Sequence, residues 1–513
     1  MVAMYVALVP LHTQDGANHR QVAVLLERLI SADVQDPVYQ PNLGLLRTNV
    51  LFSGGYALAA AKVGIPIHVY ERLFVGAFLV LLLVGYRGFL AEWTPHRADL
   101  WVWILPMTAH ALFVTGMYNF LAATALTLPL LTLLKRLAED PSARTLIAMT
   151  ALAWLAFLAH PFPFFVLPVA WLWLATGPGK RPGPYMWSGA GVLVGFLFLG
   201  FALPMLASAA PQNPYVFKPP LELFAGLVYY NFPLFSSWAV LAAVPALVCA
   251  TALAWTSLRS ADLQSPNRRG VLLWLAMLLA YFLFPNEGHG GAHLNERFLP
   301  FLWIFLPLGL AAGAGRTSSM PWIRGSAVAS AALMAAALWA GLERVDSEVR
   351  DAAAVLSELP DQARLYPLEF DPGGPSLAQA PLLHLWANHA TDRTVHSAFS
   401  FTFMDLMPVS RRFPSSDTYF PAAPENHAQA LAEGRFCRPR DPVSTSDCGL
   451  QEREAWDELL SAAHYYDHWF VHGAPARWRQ VIDEIPGLKL VAEAGRASLW
   501  RYDRSRDFSP KLR

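Results

Sequence analysis

Apolar runs of helical length alternate with short polar loops over the first two thirds of the chain, and the pattern changes near residue 343. Runs over 71–90, 99–115, 117–134, 145–159, 161–176, 187–206, 238–257, 270–285, 299–314 and 325–341 predict membrane-spanning helices. Met1–Leu11 is apolar but short of the roughly 20 residues a crossing needs. Either that helix is short, or the preceding chain of a longer gene product completes it. It shows no cleavable signal peptide. Residues 12–45 are polar. Val22, Leu25, Leu26 and Leu29 recur at helical spacing around Glu27 and Arg28, which predicts an amphipathic helix lying on the bilayer surface. Pro37 and Pro41 end it. The run 45–62 holds Arg47, Asn49, Ser53, Gly54 and Gly55 and reads as a span or as a second interfacial helix.

Beyond residue 343 the periodicity is that of a small mixed α/β domain. Helices are expected at 351–359, 381–389 and 452–464, strands at 363–370, 469–472, 488–492 and 497–502, and loops over 403–450. Basic residues orient the whole. Arg87 and Arg97, then Lys135, Arg136 and Arg144, then Lys180 and Arg181, then Arg259, Arg268 and Arg269, then Arg316 and Arg324 mark alternate loops as cytoplasmic. With a cytoplasmic N-terminus and an external C-terminal domain the number of spans is odd. Treating 45–62 as interfacial gives about 11 spans on the count of apolar runs. The expected fold is mainly α: a polytopic transmembrane bundle over 1–342 with a large first external loop, 12–70, and an extracytoplasmic α/β domain over 343–513.

Composition agrees with this division. The chain is 55% hydrophobic and 15% charged, against about 25% charged in ordinary soluble domains. Residues 1–342 carry 13 acids and 19 bases, and residues 343–513 carry 25 and 19. The net charge of zero thus joins two opposite excesses and points to no nucleic-acid partner. Cys249 lies in an apolar run. Cys437 and Cys448 could close a disulfide in an oxidising compartment or stay two thiols. There is no P-loop, no Gly-rich nucleotide loop and no nucleophile elbow.

Two polar stretches at the membrane edge carry the candidate chemistry. The first is Thr13-Gln14-Asp15-Gly16-Ala17-Asn18-His19-Arg20. A carboxylate there can act as a base on a hydroxyl, ligate a divalent cation, or cap the helix that follows. The second runs from Glu287 to Arg297 and holds His289, His293 and Glu296 among glycines that can fold tightly around an anion. Arg297 suits a phosphate, which a guanidinium binds bidentately, or a plain ion pair with Glu296. Charges at this depth default to a functional reading. The same expected face collects Glu71-Arg72, Asn119 and His160-Pro161, and the Pro-rich, aromatic loop 207–237 is expected to cover it. Asn119 reads equally as a cap, His160 as a turn residue and Glu71 as half of a local ion pair.

The organisation resembles the integral-membrane glycosyltransferases of the C superfamily. The stretch Asp15-Gly16-Ala17-Asn18-His19 is similar to the Asp-Gly-x-x-His opening of many bacterial members. Gly116-Met117-Tyr118-Asn119-Phe120, Ala159-His160-Pro161 and Tyr466-Asp467-His468-Trp469-Phe470-Val471 resemble stretches of bacterial relatives. The chain departs from many members in having no Asp-Asp or Asp-x-Asp pair. The resemblance implies a sugar transferase using a polyprenyl-phosphate-linked donor, an acceptor glycan or lipid, and surrounding membrane lipids, at the outer face of a bacterial inner membrane. Asp15 would be the catalytic base. His19, Arg20, Glu71, Asn119, His160, Glu287, His289, His293, Glu296 and Arg297 would bind substrate, with Arg297 and Arg20 on the donor phosphate. A divalent cation such as Mg or Mn would sit on Asp15, Glu287 and His289. The two stretches would then have to share one outward cleft. A transporter or flippase for lipid-linked glycans, or a scaffold subunit, is the competing expectation.

Overall fold

The structure is a computed structural model. It describes residues 13–31, 36, 38–43, 47–176, 182–202, 215–229, 266–287, 293–310, 320–372, 382–389, 394–397, 399, 407, 409–411, 427–433 and 448–503. Among the described residues the chain is mostly helical with a five-stranded mixed sheet and a two-stranded one, and it divides into two compact units. One comprises Met1–Leu11, Gly44–Phe52 and Val69–Trp339; the other comprises His12–Leu43, Ser53–His68 and Ala340–Arg513.

Among the described residues four helices are long and apolar enough to cross a bilayer: Ile67–Trp93, Tyr118–Glu139, Pro184–Phe201 and Arg324–Leu356. Shorter apolar helices cover 143–159, 163–175 and 270–283. The helix over Tyr118–Glu139 is the central one of its unit, since 72% of its apolar window is buried against 22% for Pro184–Phe201. It packs on the helices Ala143–Ala159 and Pro163–Ala175. Pro129 interrupts its backbone bonding, and the hydroxyls of Thr127 and Thr132 donate to the carbonyls of Ala123 and Leu128 at 2.8 and 3.1 Å.

The expected spans are modified in places. Over 99–115 the chain runs as 3-10 turns, Pro95–Ala109, and then a single α-turn, Ala111–Val114. Pro106 inside the run and the extended His110 at its end break the α pattern. The helix in 187–206 passes into a π-turn, Phe198–Ala202, and the described part of 299–314 is a seven-residue helix followed by 3-10 turns, Leu306–Leu310. The segments 325–341 and 351–359 are one helix, Met320–Leu356, of 37 residues. The span expected over 238–257, Met1–Leu11 and Cys437 lie outside the described residues, so the Cys437–Cys448 pair is not described.

In the second unit we label the elements needed below: α1 is Gly16–Ser31, β1 is Tyr39–Pro41, β2 is Ala363–Glu369, β3 is Val395–His396, β4 is Val409–Arg411, β5 is His468–His472, β6 is Leu488–Ala494 and β7 is Ala497–Tyr502. The sheet order is β3-β2-β5-β7-β6. β2 pairs parallel with β3 and with β5, and β7 pairs antiparallel with β5 and β6. Every residue of β5 is buried, as suits a parallel-paired central strand. The expected helix over 381–389 is a 3-10 turn, Leu385–Asn388.

The amphipathic helix is where its spacing predicts, but its apolar face meets protein. Val22, Leu25 and Leu26 are fully buried in a cluster with Val38, Tyr39, Tyr366, Leu368 and Trp469. Every residue from Gly16 to Leu26 is buried. The three aliphatic side chains contribute about 1.5–3 kcal/mol each by burial. α1 is therefore a core element of the α/β unit, and β1 ties the same segment in by pairing with β4.

Candidate functional site

In the α/β unit the polar residues of α1 face the turn 382–389. Asp15 precedes the helix, and its carbonyl accepts the His19 N–H at 3.0 Å. Its carboxylate is 17% exposed, and Oδ1 lies 3.8 Å from Nε2 of His384, which is 4% exposed. His384 has a left-handed backbone, φ 64° and ψ 23°. The carboxylate of Glu369, at the end of β2, accepts the N–H groups of His384 and Leu385 at 2.9 and 3.0 Å. A buried carboxylate thus caps the 3-10 turn that carries the imidazole. Arg20 is buried and donates to Oδ1 of Asn388. Asn18 donates to the Phe399 carbonyl at 3.2 Å. Burial, with His384 and Arg20 close by, pulls the His19 pKa from 6.5 to about 4, so His19 is a neutral ring at neutral pH.

In the helical unit, the break between Ala143–Ala159 and Pro163–Ala175 presents His160. Pro161 cannot continue a helix and Pro163 suits the first turn of the next. His160 is extended, φ −165° and ψ 138°. The π-turn packs closely here: a Cβ on Gly200 would lie 2.6 Å from Pro161 Cβ. Nδ1 of His160 accepts the Phe162 N–H at 3.1 Å, which leaves the ring proton on Nε2. Nε2 lies 3.0 Å from Nη1 of Arg297, and the guanidinium sits 5.9 Å from the centre of the Phe120 ring. Phe162 packs edge-on to both Phe120 and Phe298. Two donors therefore converge between aromatic rings. A guanidinium cannot accept, so the pair offers the donor chemistry that an oxyanion takes.

The remaining candidates separate. Glu296 is fully buried and ion-paired with Lys218, with His293 Nδ1 3.7 Å from its other oxygen. Glu287 is exposed, and its backbone pairs with Val216, so residues 215–218 of the 207–237 loop do lie along this stretch. Glu71 is buried within the helix Ile67–Trp93 and accepts the Tyr118 hydroxyl at 2.6 Å. Asn119 spends its side chain on backbone, accepting the Phe52 N–H at 2.9 Å and donating to the Asn49 carbonyl at 3.0 Å. His289 lies outside the described residues. Among the described residues no three His, Cys, Asp or Glu side chains are grouped to hold a metal. Sequence reasoning missed Glu369, His384 and Lys218. Glu369 sits in an alternating strand and His384 in a stretch with helical periodicity, so neither carries a local signal. Lys218 was inside the covering loop but has no motif.

No family model matches the chain, and no curated protein matches it. Among solved structures it is similar to the cryo-EM structure of arabinofuranosyltransferase AftD from Mycobacteria, at 14% identity and a TM-score of 0.47, over 94% of this chain and 39% of that one. A mutant form of the same protein gives 15% identity and a TM-score of 0.47, over 94% and 41%. The chain thus spans about two fifths of the length of the structures it matches. At these scores the likeness says nothing about what this chain does.

Proposed function

We propose that the chain is a multi-pass membrane glycosyltransferase that moves a sugar from a polyprenyl-phosphate-linked donor to a hydroxyl of an acceptor glycan, lipid or protein at the outer face of a bacterial cytoplasmic membrane. The observation that carries the reading is the donor pair of His160 and Arg297, 3.0 Å apart among phenyl rings. It suits a phosphate oxygen at the edge of an apolar region, where charge-assisted bonds are strong. Arg297 and His160 hold the donor phosphate. In transfer the acceptor oxygen bonds to the sugar's anomeric carbon as the bond to the phosphate oxygen breaks, and the electron pair leaves on the phosphate, whose charge such donors stabilise. Asp15, in the α/β unit, is the proposed base for an acceptor hydroxyl.

The test uses the purified full chain, polyprenyl-phosphate-linked sugars and an acceptor glycan, with transfer read by chromatography. Asp15→Asn is expected to lower transfer by about 10²–10⁴-fold, the usual contribution of a general base, while binding of polyprenyl-phosphate vesicles is unchanged. Arg297→Gln is expected to weaken that vesicle binding. Normal transfer by the Asn variant would sink the enzymatic reading in favour of a scaffold, and vesicle binding indifferent to Arg297 would remove the phosphate site.

A further inference from the structure

We infer that His384 is the positioning residue of Asp15, held in place by Glu369. The inference rests on the proposed role of Asp15 as the base. Exposure decides the order of the two groups: the Asp15 side chain is 17% exposed and that of His384 only 4%. The carboxylate is therefore the group a hydroxyl can reach, and the imidazole stands behind it. At 3.8 Å the pair is within ion-pair range but longer than a hydrogen bond, and a movement of about 1 Å would bring them into contact. Once in contact through that oxygen, the carboxylate presents its other oxygen to the acceptor in one orientation rather than several.

The backbone around His384 points the same way. A residue with a side chain at φ 64° sits in the left-handed region, at a cost of order 1 kcal/mol that glycine would not incur. A turn needing only that conformation has no use for an imidazole. Glu369 fixes the turn by accepting two consecutive N–H groups, so the direction of the ring follows from the end of a buried strand. Among the described residues, the charged and titratable groups near the pair include His19 and Arg20 from α1 and Glu369 from β2. His19 is kept neutral by its burial, Arg20 is turned to Asn388, and Glu369 is engaged with backbone.

The experiment measures kcat and donor KM for full-length chains carrying His384→Asn, His384→Gln, Asp15→Asn, and the Asp15→Asn, His384→Asn pair. Asn tolerates the left-handed turn but its amide stops short of Asp15, whereas the Gln amide reaches close to where Nε2 was. His384→Asn is expected to lower kcat by about 10- to 100-fold, within the range of a misplaced catalytic group, with donor KM unchanged. His384→Gln should recover most of that loss. The double variant should be no slower than Asp15→Asn alone, because the imidazole acts only through the carboxylate. Wild-type kcat in the Asn variant, equal losses in Asn and Gln, or an additive double variant would each overturn the positioning role while leaving Asp15 as the base. Normal transfer by Asp15→Asn would instead remove the base itself.

Discussion

Acid should loosen α1 through one residue. His19 is buried, and its pKa is drawn from 6.5 to about 4 by loss of solvent and by the neighbouring His384 and Arg20. Above pH 6.5 the ring is neutral whether α1 is packed or open, so its contribution is fully present. Between 6.5 and about 4 the open form takes up a proton that the packed form refuses, and stability falls with pH. Below about 4 both forms are charged and the loss is complete, at about 3 kcal/mol for this displacement at 1.36 kcal/mol per pH unit. At pH 4.5 most of that loss is already present, on the order of 10²-fold in the opening constant of the helix. Hydrogen exchange of the α1 amides, corrected for the intrinsic pH dependence, reads that constant. Other groups titrate in this range. Burial raises the Asp36 pKa, but the His396 side chain and the N–H groups of Tyr39 and Val38 outweigh it and leave Asp36 below the usual carboxylate range. Its contribution is likewise lost in acid. The quantity of interest is therefore wild type minus His19→Gln, in which Asp36 cancels. A difference that stays within threefold between pH 7 and pH 4.5 would refute the assignment.

Two further substitutions test the packing. Leu26→Ala removes a fully buried side chain from the cluster beneath the sheet and should destabilise α1 by about 2–5 kcal/mol, seen as faster exchange or proteolysis of 16–31 at neutral pH. Gly495→Ala places a Cβ 2.0 Å from Asp351 Oδ2 at a position with φ +53°. The side chain can swing away but the backbone strain stays, so a loss of about 1–3 kcal/mol is expected, read from exchange of the amides of β6 and β7.

The spacing of Val22, Leu25 and Leu26 was enough to place α1 but not to say what it faces, because a lipid surface and a protein core ask for the same stripe. The partner strands lie hundreds of residues away, and no local pattern encodes them. Apolar content over 99–115 likewise marks burial without fixing helix type; Pro95, Pro106 and His110 decide that. The change in charge near residue 343 reads as a boundary, yet Glu343, Asp346 and Glu348 simply continue the helix Met320–Leu356, since helical backbone tolerates either solvent. At the candidate site, the break at His160-Pro161 was legible from proline alone. Its meeting with Arg297, 137 positions away, was not, and nor was the grip of Glu369 on the turn at His384. Those contacts are set by tertiary folding, which brings together residues that carry no signal in their own neighbourhoods.

The long reach of α1 has a cost during translation. Gln21 donates to the carbonyl of Val395, 374 positions later, and the strands that cover the apolar stripe come from the same distal part of the gene. At about 5–20 residues per second, the ribosome needs roughly 20–75 s to deliver them. For that interval an apolar stripe is without its sheet, and it stays open to wrong partners until the last third of the polypeptide has emerged.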